Sequence, residues 1–161
     1  MRNIKRFSFF LIFSALLQSC DLSKYPIDDP AIVKIDTRLL GTWADHKNDL
    51  SETYTLARKD DYHYAVTMKS KKDKPLKCVG WLSDVEHKMF LNVYYRDDKD
   101  TGYQFYRIID LNAVKKSISI AVVKDTTMKY LNSTAEIRER IASNINNPGF
   151  YGDTGRLYKV K

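Results

Sequence analysis

Motifs that announce common catalysis are missing from this chain. There is no G-x-S-x-G elbow, no paired His and Cys, no glycine-rich phosphate loop and no spaced pair of carboxylates. These absences weigh against hydrolases, nucleotide-hydrolysing enzymes and redox enzymes with familiar signatures, and no catalysis is expected. Cysteine is scarce too: Cys20 and Cys78 are the only two, too few for a disulfide framework. After residue 17 no apolar run approaches the ~20 residues that a membrane-spanning helix needs. Histidine is limited to His46, His63 and His87, no two of them at a helical or hairpin ligand spacing, so each reads as a surface residue. The run Asp97-Asp98-Lys99-Asp100-Thr101-Gly102 lacks the bidentate Glu of a calcium loop and reads as a solvated turn. Neither a metal nor another cofactor is expected.

What is present begins at the N-terminus. Arg2, Lys5 and Arg6, with no acid among them, precede an apolar stretch over residues 7–17 broken only by Ser8 and Ser14. A charged region followed by a short apolar one is the layout of a secretory signal. It ends in Leu17-Gln18-Ser19-Cys20, which resembles the lipobox of bacterial lipoproteins: Leu at −3, a small residue at −1 and Cys at +1. The resemblance implies removal of the signal peptide 1–19, thioether lipidation of Cys20, and a membrane partner engaged through the N-terminal acyl chains. It implies residence in the cell envelope, facing the periplasm or the cell surface. Asp21 follows the cysteine, but lineages read that position differently, so inner and outer membrane both stay open. One acyl chain, at about 0.8 kcal/mol per buried methylene, binds membranes marginally, whereas two or three hold stably.

Loss of the signal takes three of the 27 basic side chains, leaving 24 against 20 acidic ones, a balance of +4 rather than +7. That removes much of the electrostatic case for nucleic acid, and no nucleic-acid partner is expected. Lipidation of Cys20 would also leave Cys78 without a disulfide partner, a small buried hydrophobe in expectation.

Residues 20–37 contain Pro26, Pro30 and four aspartates without a clear period, and read as a lipidated N-terminus and tether. Residues 38–161 read as one domain. Its runs of Tyr, Val, Ile, Phe and Thr are of strand length and separated by short polar turns: 52–58, 62–69, 76–85, 88–95, 103–110, 117–124 and a closing run at 156–160. Tyr62, Tyr64, Val66 and Met68 alternate with His63, Ala65, Thr67 and Lys69, the mark of a sheet with one buried face. Consecutive strands joined by short turns pair antiparallel, and a meander of this length removes its edges by closing. The expected fold is therefore mainly β, an antiparallel up-and-down barrel with one or two C-terminal helices packed on it. The main helix follows Ser133-Thr134-Ala135-Glu136, a capping box, and carries Ile137, Ile141 and Ile145 as one apolar stripe before Asn147-Pro148-Gly149 stops it. Asp125 is expected to cap a shorter turn with Met128 and Leu131 inward, and the helix is placed across one mouth of the barrel.

Gly41-Thr42-Trp43, just ahead of the first confident strand, resembles the G-x-W motif of the lipocalin and lipocalin-like families. The resemblance implies a barrel whose closed end is plugged by Trp43, with Gly41 allowing a tight approach. It also implies a basic residue over the indole, for which Arg156 is the candidate and Lys159 the second choice. The second lipocalin motif, Thr-Asp-Tyr before a late strand, has no counterpart here. The layout more closely resembles uncharacterised bacterial lipocalin-like proteins, which imply a fold without an activity.

Small barrels either fill with side chains or keep a cavity for a ligand. Tyr62, Tyr64, Tyr103 and Phe105 are the expected lining, with Trp81, Phe90 and Tyr94 as alternatives if the register differs by one. The leading expectation is a lipid-anchored envelope protein that binds a small apolar molecule or lipid. The alternative is a scaffolding lipoprotein with a filled barrel that docks another envelope protein. Lys69, Lys71, Lys72, Lys74 and Lys77 crowd one hairpin, either a solvated turn guarding a sheet edge or a contact for anionic headgroups. Palmitate labelling of the expressed full chain should be abolished by Cys20→Ser, and mass spectrometry should find residues 1–19 removed from the wild type.

Overall fold

Alternation along the strands resolves into a closed wall. The computed structural model describes residues 22–96 and 101–160, which form an eight-stranded antiparallel barrel in simple sequence order with one α-helix outside it. Cys20 and the segment 1–19 lie outside the described residues, as do positions 97–100 of the acidic turn. The strands are β1 (Gly41–Ala44), β2 (Glu52–Arg58), β3 (His63–Ser70), β4 (Leu76–Val85), β5 (Lys88–Arg96), β6 (Thr101–Asn112), β7 (Ser117–Val122) and β8 (Gly155–Lys159). The strand missing from the sequence-based reading is the Gly41-Thr42-Trp43 motif itself. As β1 it pairs Trp43 with Tyr54 of β2 on one side and with Lys159 of β8 on the other, which closes the barrel. Four residues are too few to display a period, so the motif was visible and the strand was not.

Two apolar cores lie on opposite sides of this wall. Inside, Leu56, Val66, Met68, Cys78, Leu82, Val93, Tyr106, Ile118 and Leu157 face one another. Outside, Val85 of β4, Phe90 of β5 and Phe105 of β6 meet Ile137 and Ile141 of α1 (Thr134–Ser143). The expected helix stripe is buried, Ile137 and Ile141 completely, but against this outer wall rather than across a mouth. Ser133 Oγ accepts from Glu136 N at 3.2 Å as a capping box requires, while the Glu136 carboxylate returns to Asn132 N at 2.9 Å, one residue earlier than the motif predicts. The second expected helix is a single 3-10 turn, Thr126–Tyr130, capped by Asp125 with Met128 buried.

The tether expectation is corrected. Residues 22–36 are a strap laid down the outside of the barrel: Ser23 is 1% exposed and Ile27 fully buried. Ser23 exchanges two backbone hydrogen bonds with Tyr103, third residue of β6, at 3.0 and 2.8 Å. This docks the start of the strap at the end of the barrel that carries the β1–β2, β3–β4 and β5–β6 connections. Gly102 permits the approach, since a Cβ there would meet Ser23 O at 2.7 Å. Further down, Val33 pairs with Leu82, and Asp36 N donates to the Tyr64 hydroxyl at the opposite end. The Asp28 carboxylate accepts from Arg138 of α1 at 2.6 Å, and Arg138 also donates to Asp84 O at 2.7 Å, tying strap, helix and β4 together.

Fully buried Asn92 of β5 clips the strap to the wall. Its Oδ1 accepts from Ile27 N at 3.0 Å, and its Nδ2 donates to Ser83 Oγ at 2.9 Å and to Trp81 O at 3.3 Å. No periodicity marks such a residue, because its value lies in a contact 65 positions away in sequence. Asn92→Ala leaves the Ile27 amide and Ser83 hydroxyl unpaired in a dry site and should cost about 1–3 kcal/mol. Urea unfolding should show this as a lower midpoint.

Candidate functional site

The barrel is not full. Its interior holds a cavity of ≈ 270 Å³, close to the lower edge of the ~300–1,000 Å³ usual for ligand pockets. The side walls come from alternate residues of the strands: Tyr54 and Leu56 of β2, Val66 and Met68 of β3, Leu91 and Val93 of β5, and Ile118 and Ile120 of β7. Leu39 and Trp43 contribute at the closed end. Asp45, His46, Asp49 and Glu52 line the other end with Asp153, which precedes β8. That end is the mouth, the same one at which the strap begins.

The floor is built from polar contacts made by large side chains. Trp43 Nε1 donates to Leu39 O at 2.8 Å, locking the 3-10 turn Thr37–Leu39 under the barrel. Fully buried Tyr64 accepts from Asp36 N at 2.7 Å. Gly41 has φ 130°, a conformation that side chains rarely adopt, where the chain turns from this plug into β1. The cation over the Trp43 ring is Lys159, with Nζ 5.1 Å from the centroid and a 3.1 Å bond to Arg38 O. Arg156 is not that residue: it alternates to the outer face and its Nε lies 3.5 Å from Ser119 Oγ. Trp43 and Lys159 are register partners and so share a face, whereas Arg156 is an odd number of residues from Lys159.

Of the seven aromatic residues named for the lining, none lines the cavity. Tyr64 faces inward but serves the floor. Tyr62 precedes β3, in a turn held by the Asp60 carboxylate at 2.8 Å from Tyr62 N. Phe90 and Phe105 belong to the outer core. Trp81 donates to Asp28 O of the strap at 3.1 Å. Its ring meets Tyr103, which in turn meets Tyr94, at centroid distances of 5.6 and 4.8 Å. Trp81 of β4, Phe90 of β5 and Phe105 of β6 thus bind strap and helix. The inner face of those strands carries Leu82, Leu91, Val93 and Tyr106 instead, and both faces being apolar hid the parity.

Deeper polar groups are few. Tyr95 and Tyr106 share a hydroxyl–hydroxyl hydrogen bond of 2.9 Å. Burial, reinforced for Tyr95 by its neighbour, raises the pKa of both above the ordinary tyrosine value. At the mouth, burial raises the Asp45 and Glu52 carboxyls, and for Glu52 the charges of Asp45 and Asp49 add to it. Hydrogen bonding from Ser51 holds Asp49 lower. Among the described residues no group of three or more His, Cys, Asp or Glu side chains is placed to hold a metal. Neither the protein-family models, the curated proteins nor the solved structures compared with this chain gave a match.

Lys159→Ala uncovers Trp43 and should lower stability by about 0.5–1 kcal/mol, whereas Arg156→Ala should change it by less than about 0.5. Paired denaturation curves check the contrast. Because Tyr95 and Tyr106 ionise above the unfolded-chain value, stability should be intact below about pH 10 and fall as pH rises past it. The fall should be shallower in Tyr106→Phe.

Proposed function

We propose that the protein is a lipid-anchored, non-catalytic binding protein of the cell envelope, its barrel holding a small apolar molecule or acyl chain. The observation that carries the binding half is the ≈ 270 Å³ interior cavity with aliphatic walls and a polar mouth. An apolar space that size holds about nine water-sized groups, at about 30 Å³ each. Each methylene moved there from water contributes about 0.8 kcal/mol. The anchoring half rests on Leu17-Gln18-Ser19-Cys20 and the charged and apolar segment before it. No helix among the described residues is long and apolar enough to cross a membrane. The scaffolding alternative draws less support, because it needs a filled interior.

Native mass spectrometry and lipid extraction of protein purified from envelope fractions test the binding reading. The wild type should carry a small molecule, and Val93→Trp, which fills the cavity from β5, should not. Ile118→Phe, which fills the cavity from β7, serves as a second filling variant should the first fail to fold. A bare wild type that also takes up no added apolar probe would defeat the proposal.

A further inference from the structure

Charge in the cavity is distributed unevenly along its depth. The deep walls are aliphatic and aromatic, while the acidic groups that line it, Asp45, Asp49, Glu52 and Asp153, all stand at the mouth beside His46. No lysine or arginine among the described residues lines it. Lys71 and Lys72 act on Asp49 and Glu52 from the β3–β4 connection, outside the cavity. Asp49 is engaged locally, accepting from Ser51 N at 2.9 Å. Asp45 and Glu52 are partly buried at the edge of the apolar space, and burial works against the charge of both. Partly desolvated carboxylates beside one another favour whatever brings a positive charge to them.

We infer that the barrel takes an amphipathic cation, an alkyl or aryl amine whose apolar part lies among Leu91, Val93 and Ile118 and whose ammonium group sits between Asp45 and Glu52. This rests on the reading of the barrel as a ligand-binding protein and narrows it by sign of charge. An amine lodged this way places its apolar part in the dry end and its N–H donors against acceptor-only side chains. A free fatty acid of the same shape brings a carboxylate into an acidic mouth and is repelled. A neutral alcohol gains the apolar contacts without the ionic ones.

Octylammonium, octan-1-ol and octanoate share one chain length and separate the two contributions. Titration calorimetry of the purified protein at neutral pH and low salt should rank them in that order, octylammonium at least about tenfold tighter than octanoate. Added salt should shrink the gap between octylammonium and octanol. Asp45→Asn and Glu52→Gln should each shrink it too, and circular dichroism establishes that both variants are folded. Equal affinity for octylammonium and octanol, or tighter binding of octanoate, overturns the cation assignment while the ligand-binding barrel stands. Binding of none of the three overturns both.

Discussion

Strands β4, β5 and β6 bury apolar side chains on both faces, so the barrel wall in this sector needs a second layer outside it. Burial of the outer set, Val85, Phe90 and Phe105, dictates where α1 and residues 22–36 must go. The helix supplies an isoleucine stripe and the strap supplies Ile27, which has no exposed surface. Two polar groups trapped between the layers are paired across them, Asn92 with Ile27 N and Trp81 Nε1 with Asp28 O. In such a dry seam an unpaired group costs more than a made bond returns, so these pairings fix the strap to one position.

Placing the large aromatic residues outside also explains the space within. Phe90, Phe105 and Trp81 fill the seam between wall, strap and helix, and the inward positions beside them are Leu91, Tyr106 and Leu82. The floor spends Trp43 and Tyr64 on closing one end. The remaining middle is lined by Val66, Val93, Ile118 and their neighbours, side chains too short to meet across the barrel.

Strand positions were legible because polar turns bracket runs that fall on the observed ladders, although β6 extends two residues beyond its run at each end and β7 stops two short of its own. The helix was legible from its cap and its four-residue spacing. Parity was legible in β3, where Tyr64, Val66 and Met68 alternate with exposed or half-exposed residues and do face inward. It was not legible in β5 and β6: Phe90 and Leu91, or Phe105 and Tyr106, are adjacent apolar pairs that fit either face. A bulge between Ile108 and Asp110 further shifts the period within β6. The strap was not legible. Its prolines and aspartates read as linker, yet its placement is decided by single side chains of distant strands. The mouth carboxylates Asp45, Asp49 and Glu52 are close in sequence, but nothing in a polar connection shows that it faces a cavity, and Asp153 joins them only when the barrel closes.

The strap also sets how the molecule hangs. Because Ser23 is bonded to β6 near the mouth, the strap begins at the entrance side of the barrel and not at the floor. Two residues lie between Cys20 and Ser23, so the two positions stand at most about 11 Å apart. An acyl-anchored Cys20 would therefore suspend the domain by its entrance on a very short leash. The opening would stand within a headgroup's reach of the bilayer, and the Trp43 floor would point away from it. In that arrangement a membrane amphiphile has only a short aqueous gap to cross.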